Sequence, residues 1–102
     1  MYISIMDYYK WDLQKNEKLK NEGGISFEQV VMHIENNDVL DLVAHPDQKK
    51  YPGQLIIVVE INEYAYLVPF VESSEGKFLK TIIPSRKATK DYLGGKNEQD
   101  KT

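Results

Sequence analysis

The run QLIIVVEI at residues 54–61 constrains this chain more than any other segment. It is rich in β-branched side chains and almost continuously apolar, so it lacks the alternation of a strand with one wet face. Such a run predicts a central strand buried on both faces. Asn62-Glu63 then punctuate the chain as a two-residue turn, since Asn tolerates positive φ. Residues 64–71, YAYLVPFV, form the returning strand. Pro69 has no N–H to give to a ladder, so this strand is expected to end, bulge or lie at an edge there. Residues 77–83, KFLKTII, form the next strand, which Pro84 ends. Residues 39–45, VLDLVAH, read as a short strand or as a frayed helical turn.

The preceding segment carries a different period. In residues 26–36, Ser26 and Gln29 stand at capping-box spacing, with Ile25 and Val30 at the staple positions. Phe27, Val30, Val31 and Ile34 make one apolar stripe. Residues 12–22 read as a shorter, mostly solvated helix capped by Asp12, stopped by Gly23-Gly24 and anchored by Trp11. Residues 85–93 read as a last short helix with Ser85 as its cap. Helices followed by strands indicate an α+β class, here a helical hairpin covering one face of a small antiparallel sheet.

A chain of 102 residues fits one domain, expected over 1–93, followed by a flexible polar tail at 94–102. Zero cysteines exclude a disulfide framework and a thiolate site. No segment has the roughly 20 apolar residues of a membrane span. The stretch MYISIMDYYKWD does not read as a signal peptide, which makes the cytoplasm the expected location. Residues 1–76 carry 6 basic and 13 acidic groups, whereas 77–102 carry 7 basic and 3 acidic. An anionic ligand near the C-terminal end is one reading of that asymmetry; a lysine-rich tail is the other.

Chemistry concentrates between Lys80 and Tyr92. Alternation puts Phe78, Lys80 and Ile82 on one face of their strand. Arg86, the sole arginine, and Lys87 fall in the first turn of the last helix. Cations there oppose the helix dipole, and a docked phosphate would reconcile them with it. Alternatively Arg86 pairs with a surface carboxylate, and Lys80 with Glu60. Lys90 extends the basic cluster, and Tyr92 either stacks on a base or pins the helix to the sheet. His45, at a strand–loop boundary, is a candidate for proton transfer, with Glu60 a weaker one. His33 reads as a packing residue. The two histidines have no ligand-spaced carboxylates, so no metal site is expected.

Trp11-Asp12, Lys15-Asn16, Gly24-Ile25-Ser26-Phe27-Glu28, His45-Pro46-Asp47 and Ser85-Arg86-Lys87-Ala88-Thr89 together resemble the BrnT-like ribonuclease toxins of bacterial type II toxin–antitoxin systems. Those toxins share the RelE/ParE fold. The resemblance covers roughly residues 9–92. It implies RNA cleavage without a metal or other cofactor, and neutralisation by a small antitoxin, in a homo- or hetero-oligomer. The resemblance carries over Arg86 above all; joined to the reading of the residues, it makes Arg86, His45 and Lys80 the expected catalytic residues, and Lys87, Ser85, Lys90 and Tyr92 the RNA-binding ones. The middle of the chain departs from the arginine-containing pattern of the family. A toxin that blocks a protein target, or a non-toxic binding module, are the alternatives on the same fold.

Overall fold

The computed structural model describes residues 8–101, with side chains described as far as Gly94. Its elements are β1 (Tyr9–Lys10), α1 (Leu13–Asn21), α2 (Phe27–Glu35), β2 (Val39–Ala44), β3 (Leu55–Ile61), β4 (Tyr64–Ser73), β5 (Gly76–Leu79), β6 (Ile83–Pro84) and α3 (Arg86–Lys101). The strand order is β1-β5-β4-β3-β2, with β6 also paired to β4. The fold is therefore α+β, but the sheet is mixed rather than wholly antiparallel. β1, which was not anticipated, precedes the helical hairpin and pairs in parallel with β5. The last helix runs on to Lys101 rather than ending at 93, so it takes in the stretch expected as a tail; Thr102 and residues 1–7 lie outside the described residues.

β3 is the central strand its composition predicts. Ile57, Val59 and Ile61 join Phe27, Val30 and Val31 of α2 in the main core, together with Val68, Phe70 and Leu79. Val58 points the other way and packs with Ala65 and Ala88, so α3 covers the second face. The turn between β3 and β4 has φ of 55° at Asn62 and 66° at Glu63. Two successive positive φ values make the hairpin turn whose twist suits the strands.

Pro69 does not end β4. It pairs with Ile56 and the strand continues to Ser73. The irregularity falls in the neighbouring strand instead: β5 stops at Leu79, and β6 resumes pairing only at Ile83. The Pro69 carbonyl faces this gap and accepts from the Lys80 N–H at 2.7 Å. The ring nitrogen faces the same gap, where no donor is needed. The break also overturns the simple alternation expected along 77–83. Ile82 joins the core beside Leu79 instead of following Phe78 and Lys80.

The two N-terminal helices are tied by polar contacts as well as by the stack of Trp11 on Phe27, at 5.7 Å between ring centroids. Asn16 is buried, 2% exposed. Its Oδ1 accepts from the Phe27 N–H at 2.9 Å, and its Nδ2 donates to Glu28 at 2.8 Å. The Phe27 N–H lies at a helix start and has no partner within α2. Truncation by Asn16→Ala strands that donor, at a cost of about 1–3 kcal/mol. Thermal unfolding should show Tm lower by roughly 5–20 °C.

The Asn16 amide, helped by a backbone hydrogen bond and by Lys20, holds the Glu28 carboxyl below its ordinary value. A depressed carboxyl contributes stability that is fully present above the unfolded-state value and is lost as pH falls through the folded one. The Glu28→Gln variant should therefore show a shallower loss of stability on acidification than the parent chain, as read by urea unfolding at a series of pH values.

Candidate functional site

The face of the sheet that carries α3 is only partly covered. Beyond the helix lies a recess of about 550 Å³, lined by Asp12, Lys15, His45, Tyr51, Gln54, Pro69, Phe78, Lys80, Thr81 and Ile83. The register explains why these residues meet. The His45 N–H donates to the Gln54 carbonyl at 3.0 Å. Leu55 pairs with Phe70 and Val71 pairs with Phe78. Continuing the first register by one residue sets Gln54 opposite Val71, so His45, Gln54, Val71 and Phe78 form one row across the sheet. Lys80, bonded to Pro69, stands in the next row.

His45 is held on two sides. Its ring lies 4.3 Å from that of Tyr51 between centroids. Its Nδ1 accepts from the Asp47 N–H at 3.0 Å. An acceptor Nδ1 places the neutral imidazole's proton on Nε2, making that atom a donor. In this arrangement His45 is suited to hold an anionic oxygen and is not poised to accept a proton at Nε2. Lys80 Nζ lies 5.4 Å from the centroid of the Phe78 ring. Asp12 caps α1, its Oδ1 accepting from the Lys15 N–H at 3.1 Å. One carboxylate oxygen thus serves the helix, and the same carboxylate lines the recess beside Lys15 and Lys80.

The expected trio does not converge. His45 and Lys80 share the recess, but Arg86 does not line it. The Ser85 N–H donates to Ala65, whereas Lys80 bonds Pro69. Four residues along β4 separate the two anchor points by about 13 Å. Arg86 and Lys90 are exposed on α3, and neither has an ion pair among the described residues. Lys87 pairs with Asp91 at 2.9 Å, an exposed contact of small energetic weight. Ser85 caps α3 as expected, its Oγ accepting from the Ala88 N–H at 3.0 Å.

Tyr92 pins α3 to the sheet by donating its hydroxyl proton to Asp41. That bond raises the tyrosine's pKa and lowers the carboxyl's, and the Leu42 N–H reinforces the latter. Lys87 and Tyr92 border a second, smaller groove of about 250 Å³, with Val43, Ile56, Val58 and Leu67 beneath. Lys80 forms no pair with Glu60, which stands opposite Ala65 at the far end of β3. His33 contacts Asp38 at 2.8 Å, near the end of α2 and away from the recess.

Asp12, Lys15, Tyr51, Gln54 and Phe78 were not among the expected site residues. Asp12 and Lys15 read as helix cap and solvated face, and Gln54 as the polar head of an apolar strand. For Asp12 and Lys15 the usable signal was their place in the motifs Trp11-Asp12 and Lys15-Asn16; for Gln54 and Phe78 it was parity, since they have the face of Ile56 and Val71, opposite the main core.

Comparison with family models, with curated proteins and with solved structures finds no match. Among the described residues, no helix is long and apolar enough to cross a membrane.

The histidine geometry can be checked directly. Long-range ¹H–¹⁵N spectra at pH above the imidazole titration should show His45 as the Nε2–H form; a predominant Nδ1–H form would contradict the Asp47 contact.

Proposed function

We propose that this protein binds single-stranded RNA across the α3 face and cleaves it in the recess, acting as the toxin of a toxin–antitoxin pair. The observation that carries this reading is the meeting of Lys15, Lys80, His45 and Asp12 with the aromatic rings of Tyr51 and Phe78 in one recess. Cations beside aromatic rings suit an unpaired, anionic strand, whose bases expose their faces. The resemblance to BrnT-like toxins and the hairpin-on-sheet arrangement support the toxin role and a RelE-like fold.

The roles follow from the donor and acceptor inventory. The ribose 2′-hydroxyl attacks the adjacent phosphorus, and its proton passes to the Asp12 carboxylate. The bond from phosphorus to the 5′-oxygen breaks, and that oxygen takes a proton from the Lys80 ammonium. His45 Nε2–H and the Lys15 ammonium hold the phosphoryl oxygens as charge grows on them. The products are a 2′,3′-cyclic phosphate and a 5′-hydroxyl. Arg86 and Lys90 hold phosphates farther along the strand rather than at the reacting one. An acidic antitoxin covering these cations would associate rapidly and with strong salt dependence.

The test uses purified protein and a labelled single-stranded RNA in EDTA. Cleavage with cyclic-phosphate ends is expected. Asn caps a helix as well as Asp does, so Asp12→Asn should keep the fold while lowering the rate by about 100-fold or more. Arg86→Ala should weaken binding more than turnover. A protein that neither binds nor cuts RNA, and whose induced expression leaves growth unchanged, would refute the reading.

A further inference from the structure

Gln54 is 9% exposed, and its side chain makes none of the hydrogen bonds found among the described residues. Its backbone, in contrast, is fully engaged. The N–H donates to Tyr51, and the carbonyl accepts from both His45 and the Gln48 amide. An amide that bonds no protein group keeps its donors and acceptor available to a ligand. This one belongs to the wall of the recess. Phe78 makes the complementary exception: a large apolar ring left 38% exposed on the same face. The register sets the two in one row, two strand spacings or about 10 Å apart.

We infer that the recess contains a nucleobase subsite, in which one unstacked base lies on the Phe78 ring while the Gln54 amide reads its edge. The inference rests on the RNA-binding reading above and adds a base-reading role to it. The chemistry favours a base over a phosphate at this point. An amide presents a donor and an acceptor side by side. Phosphate oxygens only accept, so they satisfy the amide nitrogen and repel Oε1. The Watson–Crick edge of each nucleobase offers an adjacent donor and acceptor in an order and position that differ between bases, and Gln pairs with such an arrangement in two-bond geometry, as it does with adenine. The aromatic face of Phe78 gains what stacking provides, on the order of tenfold in affinity per base. Lys80, next to that ring, is placed to hold the phosphate of the same nucleotide. The recess volume of about 550 Å³ falls within the range of small-ligand sites, roughly 300–1,000 Å³.

The experiment has two arms. Fluorescence anisotropy measures binding of the octamers rA8, rC8 and rU8 to the full chain and to Gln54→Met, which keeps much of the side-chain volume and loses both polar atoms. The expected result is a spread among the octamers of about tenfold that shrinks to within about twofold in Gln54→Met, with salt-sensitive residual binding retained. Equal affinities in the parent chain, or an unchanged spread in the variant, would overturn the base subsite while leaving RNA binding intact. Binding of none of the octamers would overturn the RNA reading itself, and the subsite with it. The second arm needs no variant. In ¹H–¹⁵N spectra of the parent chain, the Gln54 side-chain amide signals should move with nucleoside 5′-monophosphates and stay fixed with ribose 5-phosphate. Equal movement with both would overturn the subsite.

Discussion

Burial of β3 on both faces is the constraint on which everything else rests. A strand that is apolar on each side needs two covers, and the chain supplies them from its two ends. The α1–α2 hairpin closes one face through Phe27, Val30 and Val31. The other is closed by α3, which contributes Ala88. The covers are unequal. The hairpin brings large side chains and spans the central strands. α3 approaches closely because Ala65 and Ala88 are small, and it leaves the far end of its face open. The recess is what remains of that face after a narrow cover has been fitted.

Much of this architecture was legible because it rests on local rules. The capping box at Ser26–Gln29, the Asp12 and Ser85 caps and the Asn62-Glu63 turn all follow from residue type and spacing, and each is present. The misses have a common cause. β1 has two residues, too few to show a period, and its existence depends on β5 offering an edge. The break after Leu79 arises from Pro69, which lies ten residues earlier in the chain but next to it in the sheet. A proline's effect on its own strand can be read locally; its effect on a neighbour needs the register.

The candidate site divides in the same way. His45 and Lys80 were visible as chemistry-bearing residues at element ends, and they do share a recess. That Arg86 stands apart from them follows from the bonds of Ser85 to Ala65 and of Lys80 to Pro69. Nothing in the linear order sets those anchor points. Asp12 and Gln54 were hidden by having an ordinary structural explanation: a cap needs a short side chain with an acceptor oxygen, and a strand needs a first residue. Asp12 does serve as the cap, and only the fold brings the same carboxylate to the recess.

Asp41 has a consequence of another kind. β2 is the outer strand of the sheet, with Leu42 and Val39 largely open to solvent. Such an edge is a template on which further chains can add strand by strand. Asp41 Oδ1 accepts from the outward Leu42 N–H at 2.7 Å, while its other oxygen is held by Tyr92. The carboxylate thus occupies a docking point of the edge and places negative charge there. Copies of the chain crowded together meet a blocked, mutually repelling border, which disfavours growth into fibrils.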